Sequence, residues 1–329
     1  MSDGIVSPYE FHARSVGVYA ALTLARRVVT AMPTDGAGDT SALRPDDVPR
    51  TIAAAEAWSW SGPLWREGVL TPAFDGAGPL DDVGDVCDEI GAVDAWAPIR
   101  PMIAPRLFDD TRAQLEAVSR DLILGGVNPG VSIPVSCGVA RFAARTGALM
   151  FRSPASSTVT KLEARSTSIG ARCAVPVLDG VDARTLLAMR ETLAATLGPL
   201  RDAMDETVAT LRSAGVTEDD LRGVERGVLM PAAEAYAREF EAHRRVLCER
   251  ADDEGCRYRV RSLTLGFGSA DPDGVLRASV LAAQSMRGRP ATPRAGVAPT
   301  TPTTPTNAIG SRALAVCAVS VRKLAPTTA

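Results

Sequence analysis

Lysine is nearly missing from this chain. Lys161 and Lys323 are the only two among 36 basic residues, so arginine carries the positive charge. Arginine favours forked contacts to carboxylates and phosphates. A GC-rich coding sequence, which also raises Ala, Gly and Val, accounts for the bias without a functional arginine surface. Histidine is almost as scarce, with only His12 and His243. The six cysteines, at positions 87, 137, 173, 248, 256 and 317, contain no C-x-x-C pair. That excludes the usual tetrahedral zinc spacing, and no metal or cofactor is expected. Six thiols in 329 residues are also too sparse for a disulfide framework. Cys173 and Cys317 lie in apolar runs, as buried inert thiols do. The formal net charge is only −3, which excludes a globally basic nucleic-acid binder. No apolar run approaches the roughly 18–20 residues that span a bilayer. The start, MSDGIVSP, lacks the basic and apolar regions of a signal peptide. A cytoplasmic protein without membrane contact is the expectation.

What is present suits a globular chain: 46% apolar and 23% charged residues, enough to bury a large core. The patterns predict a helix-rich mixed α/β fold with a small sheet of about four to five strands, at 27–32, 148–152, 172–178, 258–265 and 312–321. Pro176 argues that 172–178 is an edge strand or carries a bulge. Helices are expected at 9–24, 50–59, 80–91, 110–124, 136–146, 157–168 and 271–286, with 131–135 extended. The four tryptophans, Trp58, Trp60, Trp65 and Trp96, fall in the first third and read as one bulky core cluster. A stacking platform is the other use of such a cluster.

The strongest periodicity runs from 182 to 252. Leu186, Met189, Leu193, Leu197, Leu200, Met204, Val208 and Leu211 form one helical stripe. Leu221, Val224, Val228, Ala232, Tyr236, Phe240, His243 and Leu247 form a second. A short turn joins them, predicting a long antiparallel helical hairpin, with a kink at Gly198-Pro199. Residues 1–287 are read as one globular domain, with a possible subdivision near 178–182. Residues 288–308, rich in Pro and Thr, read as a disordered tether, and 309–329 as a strand docking back on the domain.

No motif fixes an activity, and no catalytic residue is assigned. Arg120, Arg141, Arg152 and Lys161 are the candidates for an anion pocket. Arg120 precedes the glycine-rich loop 125–130, and Arg152 opens the hydroxyl-rich stretch that reaches Lys161. Gly266-Phe267-Gly268 reads as a turn between strand and helix, because a dinucleotide fingerprint would need glycine where Asp271 stands. Asp81, Asp82, Asp85, Asp88 and Glu89 read as a solvated helix face rather than a cation site. Arg257, Arg259 and Arg261 alternate onto one face of a strand, a local basic stripe with acidic neighbours. Three functions follow: an interaction or regulatory protein presenting the hairpin to a protein partner or a second copy; a binder of, or enzyme for, a phosphate-bearing small molecule; and, more weakly, nucleic-acid binding through the arginine stripe.

Overall fold

A computed structural model describes residues 3–30, 56–72, 79–103, 111–126, 128–153, 167–287 and 313–321. The expected 288–308 tether, most of the 50–59 and 157–168 helices, and Lys161 lie outside these residues. The fold is mixed α/β and helix-rich, with helices packed on a sheet.

The chain opens with strand β1 (Gly4–Val6), then helices α1 (Pro8–His12) and α2 (Val16–Leu24), then β2 (Val28–Thr30). A 3-10 turn at Ser59–Ser61 runs into α3 (Gly62–Arg66), followed by β3 (Leu70–Pro72). Helices α4 (Pro79–Ala92), α5 (Thr111–Ile123) and α6 (Pro129–Thr146) lead to β4 (Leu149–Arg152). Next come β5 (Thr167–Asp179), α7 (Ala183–Thr192), α8 (Ala194–Leu211), α9 (Glu218–Val224), a π-helical turn at Glu225–Leu229, and α10 (Met230–Asp253). Strand β6 (Arg259–Ala270), α11 (Gly274–Arg287) and β7 (Leu314–Val321) complete it.

Among the described residues the sheet has seven strands in the order β3-β2-β1-β4-β7-β6-β5, more than the four to five expected. The two unforeseen strands, β1 and β3, have three residues each, too few for a period-two pattern to show. β3, β2, β1, β4 and β7 run parallel, and β6 is antiparallel to β7 and to β5. β5 is the edge strand that Pro176 called for, with a register shift between Ile169 and Ala171. β7 lies between β4 and β6 rather than at a margin.

From β1 the chain passes through α2 and steps to β2 and β3; it then passes through α4, α5 and α6 and returns to the far side of β1 as β4. Parallel crossovers are right-handed, so reversing the direction of stepping sends the helices to the opposite face. α2 accordingly packs against β1, β4, β5 and β7 together with α7 and α8, while α6 packs with α4, α5 and α11 and touches β4 and β7. The sheet is doubly wound, with its switch point between β1 and β4.

α2, VGVYAALTL, has no charge and is buried from Gly17 to Leu24, as a helix enclosed on all sides must be. α6 is buried without a break from Gly130 to Ala140. That burial overrides the expectation of an extended 131–135. Asn128 caps α6, Pro129 occupies its first turn, and Pro134 is accommodated inside it. α6 crosses α4 at Gly138, where an added Cβ would stand 2.3 Å from the Val83 side chain and 2.8 Å from its Cα.

All of the first stripe from Leu186 to Val208 is buried. The break falls at Leu193 rather than at Gly198-Pro199, so Pro199 sits inside the fresh helix α8. Beyond Leu221 the buried positions of the second stripe are Leu229, Ala233, Tyr236, Phe240, Leu247 and Ala251. The π turn inserts one residue and shifts the face from the expected 228 and 232 to 229 and 233. α8 and α10 contact each other, and both touch the sheet. Gly266-Phe267-Gly268 is interior to β6 and paired on both sides, not a turn. The tryptophans do not form one cluster. Trp58 joins the main core, with Trp60 and Trp65 against it, while Trp96 belongs to a satellite core with Val86, Ile90, Ile99, Cys137 and Leu276.

Candidate functional site

The switch point brings the carboxyl ends of β1 and β4 side by side, and the residues that leave them are polar. Ser7 closes β1 and caps α1 through its side chain to the Tyr9 N–H. Glu10 is buried at 5% exposure. Its carboxylate accepts from the Ser15 hydroxyl and from the Ser153 backbone N–H at 3.2 Å. Ser153, directly after β4, accepts on Oγ from the Gly17 N–H at 2.8 Å. An added Cβ at Gly17 would lie 2.8 Å from that hydroxyl, so α2 and the end of β4 approach closely only with glycine there. Ser15 caps α2. The first turn of α2 is therefore already answered by Ser15 and Ser153, both of which Glu10 holds in place.

Between α1 and α2 the chain turns through Arg14, at φ 46 the one non-glycine residue with positive φ among the described residues. A side chain in that region costs about 1–2 kcal/mol. Arg14 is exposed, and its guanidinium lies 4.5 Å from the centre of the Trp60 ring. Trp60 in turn stacks on Phe11 at 5.4 Å and 22°, and leans on Tyr19 at 6.3 Å. Burial raises the Tyr19 phenol, opposed by the nearby Arg14 charge. Among the described residues Arg14 has no carboxylate partner.

Beside the platform, Trp58 is fully buried and donates its indole N–H to His12 Nδ1 at 3.1 Å. On the other flank, Tyr9 donates to Asp121 at 2.8 Å, and Asp121 also accepts from the Asn128 N–H at 2.8 Å. Burial first, then the Asp121 charge and hydrogen bond, keep the Tyr9 phenol protonated far above its ordinary range. The loop that follows Arg120 is thus a helix terminus tied to α1.

Of the residues proposed from sequence, Arg152 is buried at the end of β4, with Nη2 at 3.3 Å from the Met150 sulfur. Arg141 is bound by Glu89 at 2.7 Å and Asp273 at 2.8 Å, which commits its fork to α4 and α11. Arg120 is exposed at the end of α5. Arg257 and Arg259 are exposed, and Arg261 is paired with Asp179. The acidic face of α4 is partly structural: Asp82 pairs with Arg145 at 2.7 Å, and Glu89 also accepts from Trp96 at 2.9 Å. Among the described residues no group of three His, Cys, Asp or Glu is placed to hold a metal. None of the six cysteines is joined in a disulfide. Burial pushes the thiols of Cys87 and Cys173 up to about 12, so neither is a thiolate at neutral pH. No described helix is long and apolar enough to cross a membrane.

Sequence reasoning passed over Glu10, Arg14 and Ser15. The available signal was Ser7-Pro8-Tyr9-Glu10, a strand-end cap with proline in the first turn, right after the apolar triplet of β1. No family model matches this chain, and no curated protein or solved structure matches it.

Proposed function

We propose that the protein binds a small anionic molecule, bearing a tetrahedral or carboxylate group, over the carboxyl edge of the sheet, with Arg14 as its anchor. The observation that carries this reading is the exposed Arg14 guanidinium, stacked on Trp60 from a strained backbone and unpaired with any described carboxylate. Strain of this kind persists where the surroundings hold it, and such places concentrate at ligand sites. A guanidinium has five N–H donors, so one resting on an indole and hydrogen-bonded to the Tyr19 hydroxyl still has N–H groups left for an anion contact. The crevice at a switch point is also where open α/β sheets receive ligands. The first turn of α2 is already occupied by Ser15 and Ser153, so recognition rests on the arginine fork rather than on a backbone cradle.

Titration with sodium sulfate and with malonate, followed by tryptophan fluorescence, tests this and separates the two anion shapes. Saturable binding of at least one anion is expected, weakened about tenfold or more in Arg14→Gln, the scale of a lost charged hydrogen-bond pair. Equal binding by Arg14→Gln, or no saturable response to either anion, would overturn the reading.

A further inference from the structure

We propose that His12 is a positioning residue for the Trp60 platform and that its protonation releases the Trp58–Ser61 turn, switching the anion site off in acid. The anion part rests on the function proposed above; the latch itself does not.

The argument begins with hydrogen-bond chemistry. An indole N–H can only donate, so the contact from Trp58 Nε1 requires His12 Nδ1 to be unprotonated, with the ring proton on Nε2. The two rings meet edge to face at 6.1 Å and 86°. Trp58 is fully buried, so no water replaces the acceptor if it is lost. A proton on Nδ1 sets donor against donor and forces ring or turn to move.

Trp58 is tied to the platform. The Ser61 hydroxyl donates to the Trp58 carbonyl at 2.7 Å and accepts from the Trp65 indole at 3.1 Å, closing the turn on itself. Trp60 lies inside that turn, stacked on Phe11, the residue before His12. Displacing Trp58 therefore moves the ring on which Arg14 rests.

The charged groups around His12 are otherwise committed. On its own segment Glu10 is held by Ser15 and Ser153, and Arg14 lies over Trp60. From α5, which packs on α1, Asp121 is bound to Tyr9, and Arg120 is exposed. α2 carries no acidic or basic residue. Around the turn, Glu56, Arg66 and Glu67 are exposed. Burial alone lowers the His12 pKa below 6.5, so the neutral ring is the resting form at pH 7. A base whose folded pKa is depressed binds its proton more readily when unfolded. Its stabilising contribution is full above about 6.5 and is lost as pH falls from there towards the lower folded value.

Intrinsic fluorescence and near-UV circular dichroism between pH 8 and 4.5, with imidazole NMR of the same samples, test the latch without ligand. The wild type should show a one-proton spectral transition below pH 6.5 that coincides with His12 titration. His12→Gln retains an acceptor for Trp58 but cannot titrate, and should lose that transition. Sulfate keeps its charge over this range; its affinity should fall in the wild type from pH 7.5 to 5.5 by a factor that His12→Gln abolishes. A flat wild-type spectrum while His12 titrates, or an unchanged transition in His12→Gln, would sink the latch. Absence of sulfate binding at every pH, with the transition intact, would count against the anion reading alone.

Discussion

Two arginines hold α2 in place from the far side of the sequence. Arg190 donates to the carbonyls of Leu22, Thr23, Ala25 and Arg26, and Arg201 to those of Thr23, Leu24 and Ala25. These are the orphan carbonyls at the negative end of the helix, where cations are favoured. Burial, with each charge near another arginine, lowers Arg190 to about 9 and Arg201 to about 10, so both stay charged at neutral pH. Arg190→Ala should cost about 2–4 kcal/mol, because several buried carbonyls lose a charged donor at once. Arg190→Lys should recover little, since one ammonium cannot span four acceptors. Urea denaturation of the three proteins checks both statements, and a lysine variant as stable as the wild type would refute the fork. The abundance of arginine was legible in the sequence, but this use of it was not. Arg190 and Leu22 are 168 residues apart, and no local pattern records such a pairing. Arg14 escaped notice for the opposite reason: an apolar spacing read as one helix over 9–24 hid a three-residue break at 13–15, whose signature is the positive φ of Arg14.

At the scale of elements, burial decides between competing local signals. The stripe from Leu186 to Val208 was legible because it is helical, long and one-sided, and every member is buried. The second stripe was legible at Leu221, Tyr236, Phe240 and Leu247, but around the π turn burial falls on Leu229 and Ala233 instead of Val228 and Ala232, since an inserted residue rotates the local face while leaving composition unchanged. α6 was half-hidden for another reason. Its IPV stretch resembles a strand, and only contact on all sides makes it helical. The crossing of α6 over α4 carries a sharp expectation. Gly138→Ala places a methyl against Val83 backbone that cannot turn aside, and should destabilise by about 1–3 kcal/mol. Gly84→Ala, on α4 with nothing within 4 Å of its added Cβ, should instead stabilise by about 0.5–1 kcal/mol through helix propensity. Thermal melts of both variants test the crossing, and equal shifts in the two would show that the helices do not meet there.

For the whole molecule, the governing fact is that the sheet is stitched by distant segments. Gly4 pairs with Leu149, Met150 with Val316, and Ala270 with both Thr167 and Leu314. Each strand from β4 onward is visible alone as an apolar run, whereas their order depends on these closures, which is why the switch point was out of reach from sequence. β7 is the critical piece. Leu314, Ala315, Val316, Cys317 and Val319 are all at most 2% exposed, and the strand is paired on both edges. A chain ending at Arg287 would open two unpaired edges in the middle of the sheet and uncover the apolar faces of α2 and α6 that touch β7. It should lose cooperative unfolding and aggregate rather than fold as a six-stranded protein. A milder test is Val316→Pro, which removes one ladder donor from a central strand and should cost about 3 kcal/mol or more. Pro176 on the edge strand β5 provides the contrast: Pro176→Ala should move stability by less than about 1 kcal/mol. If the truncated chain unfolded as sharply as the full one, the central placement of β7 would be wrong. The continuity of the sheet from the switch point at β1 and β4 to the helical layer on β5 would fall with it.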